Sequence, residues 1–424
     1  MNKPVYVIDG LRTPFLKAKG RGPFSASDLA VWAGRELLAR QPFLPTDIDE
    51  TVIGCMMPSE NEANIGRLIG LRLGCGNDTP GWTVQRNCAS GMQSLDCALK
   101  DIQLGRADLV LAGGTEVMSR APLNFRPEMV DWLMQWQKAK TAQQKISALI
   151  QFKLKYLAPI ITIIHGLSDP LYGVSMGQTA EILADRFHIT RDEMDQFAFE
   201  SHEKAEEAKK LGYLTEITPI FSDKGECFTS DTGVRADTTV EQLAKLKPMF
   251  DKYGLVTAGN SSQITDGAAL LILASEEAVK KYDLKPIGKI VDVEWAGLSP
   301  DVMGLGPVMA ATPILKRHNL TLDDINYWEI NEAFAAQVIA CLKAWESDEF
   351  CKEQLGLDKA LGKLNRDTLN IDGGAIAFGH PVGASGARIV LHLLSILKRT
   401  NAKRGIASIC IGGGQGGAML LETV

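Results

Sequence analysis

The chain has 424 residues, too many for one compact core and enough for two or three domains. Its 45% hydrophobic and 23% charged residues match a soluble globular protein and exclude a disordered chain. A formal net charge of -6 leaves no basic excess to neutralise phosphates, which excludes general nucleic-acid binding. The eight cysteines contain no C-x-x-C pair, which argues against a disulfide framework or a zinc site.

The first predicted element is a strand at Val5-Tyr6-Val7-Ile8, without the charged and apolar regions of a secretory signal. Apolar runs such as 157–164 fall far short of the roughly 20 residues that span a bilayer. The expected location is therefore the cytoplasm. Residues 28–54 read as a helix, the turn "LPTDID" and the strand "ETVIG". Residues 306–330 repeat that order, with helix "PVMAATPILKRH", turn "LTLDDI" and strand "NYWEI". "CASGMQSLDCAL" is matched by "GASGARIVLHLL", and "ADLVLAGG" by "ASICIGGG". Alternating strands and helices with short glycine turns predict an α/β fold built from two similar halves.

The stretch 121–250 breaks this plan. Within 131–168, no acidic residue follows Asp131, while Lys138, Lys140, Lys145, Lys153 and Lys155 supply only positive charge. Ile146, Leu149, Ile150, Leu154 and Leu157 recur near helical spacing, and Pro159 should end that helix. Thr190-Arg191-Asp192-Glu193 is a capping-box pattern, followed by Met194, Phe197, Ala198 and Ala205 at helical spacing and by Gly212 as a stop. The division expected is 1–120 plus 251–284 as one half, 121–250 as an inserted loop domain that covers the site, and 285–424 as the other half. The basic amphipathic segment is 131–164.

Three residues carry candidate chemistry. Cys88 in "VQRNCASGMQSL" sits where small residues open a helix, whose unpaired N–H groups and positive dipole end favour a thiolate and can receive an oxyanion. His380 lies between glycines in "GGAIAFGHPVGASGAR", where an imidazole could act as base toward a thiol. Cys410 ends a strand before three glycines that allow close backbone approach to a ligand. Taken singly, each is more often structural. Gly412, Gly414 and Gly417 also satisfy G-x-G-x-x-G, but too few residues follow for the helix, strand and acidic residue of a dinucleotide fold.

"NCASGMQS", "NEAFAAQ", "GGAIAFGHPVGASGAR" and "CIGGGQGGAM" resemble the signature segments of the thiolase family, in that family's order and spacing. "VTAGNSSQITDGAA" and "ADLVLAGGTEVMS" resemble further family segments, so the similarity spans the chain. The resemblance implies a layered αβαβα fold and a 3-ketoacyl-CoA thiolase of fatty acid beta-oxidation. Cys88 would be acylated, His380 would activate it, and Cys410 would protonate the departing acetyl-CoA enolate and later deprotonate coenzyme A. The N–H groups of Cys88 and Gly412 would form one oxyanion hole; His380 and a water on Asn331 would form the other. Ser262 and Met176 would line the pantetheine and acyl channel. No cofactor would be bound permanently, coenzyme A and acyl-CoA being substrates.

Residues 131–168 and 346–364 are similar to insertions of the thiolase subunit in the trifunctional fatty-acid-oxidation complex. That likeness brings in a homodimer or dimer of dimers, a hydratase/dehydrogenase partner subunit and a peripheral contact with the inner face of a membrane. Two details depart from that subgroup: Asn331 stands where it carries His, and Ser175 precedes the Met176-Gly177 pair where it has a nearby histidine. Rival readings are a biosynthetic enzyme condensing two acetyl-CoA molecules, a ketoacyl-ACP synthase and a non-catalytic lipid-binding protein on the same fold.

Overall fold

A computed structural model describes residues 3–424. Nine strands form its main path: β1 (Val5–Arg12), β2 (Glu50–Gly54), β3 (Gly81–Val84), β4 (Leu109–Val117), β5 (Thr265–Ser275), β6 (Gly288–Gly297), β7 (Tyr327–Ile330), β8 (Arg404–Ile411) and β9 (Gln415–Glu422). Their order is β7-β8-β9-β6-β1-β5-β4-β2-β3. β2–β4 and β7–β8 are parallel pairs, and β4–β5 and β8–β9 are antiparallel pairs. The order therefore runs alike for four strands outward from β1 and from β6, β3 having no counterpart. These two equivalent strands pair antiparallel, Tyr6 opposite Lys289, and join the halves.

The helices that matter here are α1 (Ala26–Ala39), α2 (Ser90–Gln103), α3 (Pro127–Lys138), α4 (Ala142–Gln151), α5 (Met176–Arg186), α6 (Arg191–Lys210), α7 (Gly306–Arg317), α8 (Ala335–Glu346) and α9 (Val382–Thr400). The repeat read from the sequence is present element by element. α1, a short 3-10 turn Pro45–Asp47 and β2 correspond to α7, a 3-10 turn Leu322–Asp324 and β7. The capping box read at Thr190 is present on α6, and Ser25 caps α1 in a second complete box.

Strand residues alternate between hydrophobic layers. Leu109 and Leu111 pack outward with α1, whereas Val110 and Ala112 face an inner layer with α2 and α9. That inner layer also takes Ala407, Ile409 and Met419 from the other half, and a further outer layer holds α7 and α8. Strands buried on both faces read as unbroken apolar runs, as "LVLAGG" and "ALLILA" do. The observed layering is helix, sheet, helix, sheet, helix.

α2 and α9 cross at van der Waals distance because small residues face each other. A Cβ on Gly91 would lie 2.8 Å from the Gly383 carbonyl, and one on Gly386 would lie 2.6 Å from the Met92 nitrogen. The two central helices thereby bring their N-terminal ends together, one carrying Cys88 and the other His380.

The basic segment differs from its expected form. Instead of one helix running to Pro159, α3 and α4 make a hairpin, and a 3-10 turn, Leu154–Leu157, follows. The chain leaves the helix at Phe152, whose ring packs edge-on against Trp132 at 4.8 Å while Trp132 stacks on Trp136 at 5.8 Å. The aromatic residues thus form a small core of their own. Residues 346–364 form a helix, Asp348–Leu355, with Phe350 against Phe187. Among the described residues no helix is long and apolar enough to cross a membrane.

Candidate active site

Cys88 lies in the turn between β3 and α2. The Arg86 N–H donates to Ser90 Oγ at 2.9 Å, and Ser90 Oγ donates to the Asn87 carbonyl at 2.7 Å, so the turn is fixed by its own hydrogen bonds. The thiol opens into a cavity of about 510 Å³ that also receives His380, Cys410, Ser262 and Met176. Met118, Ile164, Met249, Phe250, Met303 and Phe334 give this cavity a mostly apolar wall. Lys17 and Arg235 are cations on its lining. Burial and then the neighbouring Arg235 hold the Lys17 ammonium below its ordinary pKa.

Burial pushes the Cys88 thiol up, opposed by the backbone N–H groups of Gly412 and of Cys88 itself, with the Glu116 charge adding to the rise. The N–H groups do act in the expected direction, but desolvation outweighs them. Cys410, at the end of β8, is pushed well above its ordinary value by burial and then by the neighbouring Cys88 and Cys341 thiols. Both thiols are protonated at rest.

His380 follows Gly379, whose φ of +105° is a conformation that L side chains rarely adopt. Its Nδ1 lies 2.6 Å from Ser385 Oγ, and that hydroxyl donates to the Pro381 carbonyl at 3.0 Å. With its proton so directed, Ser385 accepts from Nδ1–H, and the tautomer leaves Nε2 as a bare lone pair. Nε2 is buried and has no protein partner. Burial, then Arg388, lowers the His380 pKa to about 3, so the ring is neutral at rest.

Asn331 and Gly412 adjoin this cavity without lining it. Asn331 follows β7, its N–H bonded to the Ser408 carbonyl at 2.9 Å. Its side-chain amide is buried and has no protein partner at either atom. Gly412 has its N–H toward the Cys88 sulfur, and a Cβ there would come within 3.1 Å of Met176 Sδ. Ser262 is held by its N–H on the Ala333 carbonyl at 2.9 Å.

Three residues here escaped the sequence reading. Glu116, buried at the end of β4, accepts the N–H groups of Met56, Met57 and Gly383. Burial raises its pKa to about 7. Ser385 orients His380, and Asn87 donates to the Gly412 carbonyl at 2.7 Å. Ser385 sits five residues past His380 within a quoted motif, and that spacing was the available signal. Glu116 and Asn87 carried none beyond their place in such motifs.

Together, two protonated thiols, a neutral imidazole and paired backbone N–H groups suit acyl transfer through a sulfur nucleophile. Comparison with known proteins agrees. Residues 5–277 match the family model described as "Thiolase, N-terminal domain", and residues 284–423 the one described as "Thiolase, C-terminal domain". The trifunctional enzyme subunit beta of Bos taurus is 34% identical, covering 99% of this chain and 88% of that protein. A beta-ketoadipyl-CoA thiolase of Acinetobacter baylyi is 38% identical over the full length of both. The crystal structure of human mitochondrial 3-ketoacyl-CoA thiolase in complex with CoA superposes with a TM-score of 0.85 at 36% identity, covering 100% of this chain and 98% of that one. With both halves of the chain matched and the site's chemistry in keeping, the chain belongs to the thiolase family.

Proposed function

We infer that the protein is a 3-ketoacyl-CoA thiolase that cleaves its substrate with coenzyme A and releases acetyl-CoA. The observation that carries this reading is the convergence of Cys88, His380 and Cys410 on one apolar cavity. The Cys88 sulfur attacks the 3-keto carbon while its proton passes to His380 Nε2. The oxygen becomes an oxyanion between the N–H groups of Cys88 and Gly412. Collapse breaks the C2–C3 bond, and the electron pair becomes the enolate of the acetyl-CoA thioester. The protonated His380 and a water held by Asn331 stabilise that enolate, and the Cys410 thiol protonates its C2. After acetyl-CoA leaves, the Cys410 thiolate takes the proton of the incoming coenzyme A thiol. The coenzyme A sulfur then displaces Cys88, which recovers its proton from His380.

The low pKa of His380 fits this sequence, because an imidazolium forms only when an anion forms beside it. Ser262 and Met176 border the channel for pantetheine and acyl chain. Lys17 and Arg235, two cations close enough to repel, suit the phosphates of coenzyme A. The apolar wall favours a hydrocarbon acyl chain over one ending in a carboxylate and supports a role in fatty acid beta-oxidation. Steady-state thiolysis of 3-ketoacyl-CoA substrates from four to sixteen carbons tests this. Activity confined to four carbons would favour the biosynthetic reading, and none at any length the non-catalytic one.

The assembly we assign is a homodimer or dimer of dimers, with a hydratase/dehydrogenase subunit as heteromeric partner and the cytoplasm as location. The α3–α4 hairpin supports a peripheral contact with an anionic lipid surface. Its aromatic residues pack on each other, while Ile146, Ile150, Leu154 and Leu157 stay exposed beside Lys145, Lys153 and Lys155. Each such lysine contributes about 1 kcal/mol near an anionic surface. Wild type should float with anionic vesicles at low salt, and a variant with Glu at Lys138, Lys140, Lys145, Lys153 and Lys155 should not. Neither protein floating would remove this contact.

A further inference from the structure

We propose that Asn87 is a positioning residue, holding the backbone of Gly412 so that its N–H faces the sulfur of Cys88. This deepens the reading of Cys88 as the acyl acceptor and rests on it.

The Gly412 segment is the turn between β8 and β9, closed where Ile411 lies opposite Gln415 and tied at its far end by the Leu298 N–H on the Gly414 carbonyl at 2.8 Å. Gly413 and Gly414 follow it with φ of +87° and +75°, and three consecutive glycines offer no side chain for packing to grip. The segment belongs to one half of the chain and the thiol to the other, and none of those bonds fixes the Gly412 carbonyl relative to the thiol. Asn87 supplies it through the 2.7 Å bond from Nδ2 to the Gly412 carbonyl. Adjacent residues thus grip both ends of one glycine: the Asn87 side chain holds its carbonyl, and the Cys88 sulfur faces its N–H. A second tie runs from Arg86 Nη1 to Gln415 Oε1 at 3.0 Å and anchors the far end of the same turn.

Asn87 has a φ of +43°, in the left-handed region that asparagine tolerates better than most residues. The turn carrying Cys88 is held by Ser90 through the Asn87 carbonyl at 2.7 Å and the Arg86 N–H at 2.9 Å, and the Asn87 amide adds only a long bond, accepting from Gln85 Nε2 at 3.5 Å. Removing the amide should therefore free Gly412 while leaving the thiol where it is. That separates Asn87 from a residue that merely supports its own loop.

The test compares two reactions of the same sulfur in the full-length protein. Acyl transfer from 3-ketoacyl-CoA develops an oxyanion; alkylation by iodoacetamide does not. Asn87→Gly keeps the left-handed backbone and loses the donor, whereas Asn87→Asp keeps the shape and loses the donor. In both, acyl-enzyme formation should slow by about tenfold or more, as misplaced catalytic groups do, while the limiting, pH-independent alkylation rate of the Cys88 thiolate should stay at the wild-type value. Acylation at the wild-type rate in both variants would overturn the proposal, and so would a parallel loss of alkylation. Mass spectrometry of quenched wild type separately locates the acyl group. Its absence from the Cys88 peptide would sink the underlying reading and not the Asn87 tie alone.

Discussion

Glu116 Oε2 accepts the N–H of Gly383 at 3.0 Å, three residues beyond His380, while its other oxygen takes the N–H of Met57. One buried carboxylate therefore fastens the loop after β2 to the first turn of α9. Its charge also opposes a thiolate at Cys88.

Glu116→Gln should move the pH profile of Cys88 alkylation toward lower pH, because a repelling negative charge is removed. Alkylation rates measured with iodoacetamide across pH 6 to 10 would report it. An unmoved profile would show that the carboxylate does not reach the thiol electrostatically.

The two cysteines should separate by reaction. Cys88→Ala should lose both acylation and cleavage. Cys410→Ala should still be acylated by a simple acyl-CoA but lose about 10²–10⁴-fold in carbon–carbon cleavage, the range of a positioned acid or base. Near wild-type cleavage by Cys410→Ala would reduce that thiol to a packing residue.

Asn331→Ala should cost about 2–4 kcal/mol in transition-state stabilisation, the usual loss for one oxyanion donor. Asn331→His should retain part of the activity, since an imidazole can also hold a water. Comparison of kcat/KM across the three proteins decides, and equality of wild type with Asn331→Ala removes the residue from the site.

His392 should give stability an alkaline limit. It is buried, with Nδ1 2.9 Å from Glu216 and Nε2 3.3 Å from Asp372. Burial lowers its pKa, but the two carboxylates outweigh this and raise it from 6.5 to about 10. A raised folded pKa stabilises fully below the unfolded value of 6.5, and the gain is lost as pH climbs through 10. The urea midpoint should fall between pH 7 and 10, and in His392→Gln it should fall less over that interval. Equal slopes in both proteins would assign the alkaline loss elsewhere.

The repeat was legible because each half spells the same order of helix, 3-10 turn and buried strand. Cys88, His380 and Cys410 were legible as members of long motifs, and the folded chain brings them to one cavity. What the sequence could not give was the protonation state of the thiols. A helix N-terminus is visible in "NCASGMQS", but desolvation depends on what the other half lays over the sulfur. The hairpin was misread for a related reason. Ile146 to Leu157 keep helical spacing, but the pairing of Phe152 with Trp132 is a contact between separate segments that periodicity does not encode.

The glycine contacts between α2 and α9 set the spacing of the turns that carry Cys88 and His380, deep in the molecule. Ile164, Leu167, Met249 and Phe250 join the cavity's apolar wall from the stretch between β4 and β5. The reacting groups and this part of the apolar wall are thus written in different parts of the gene. Drift between β4 and β5 can reshape that part of the wall without moving the thiols, whereas a single methyl group added at Gly91 or Gly386 would force α2 and α9 apart.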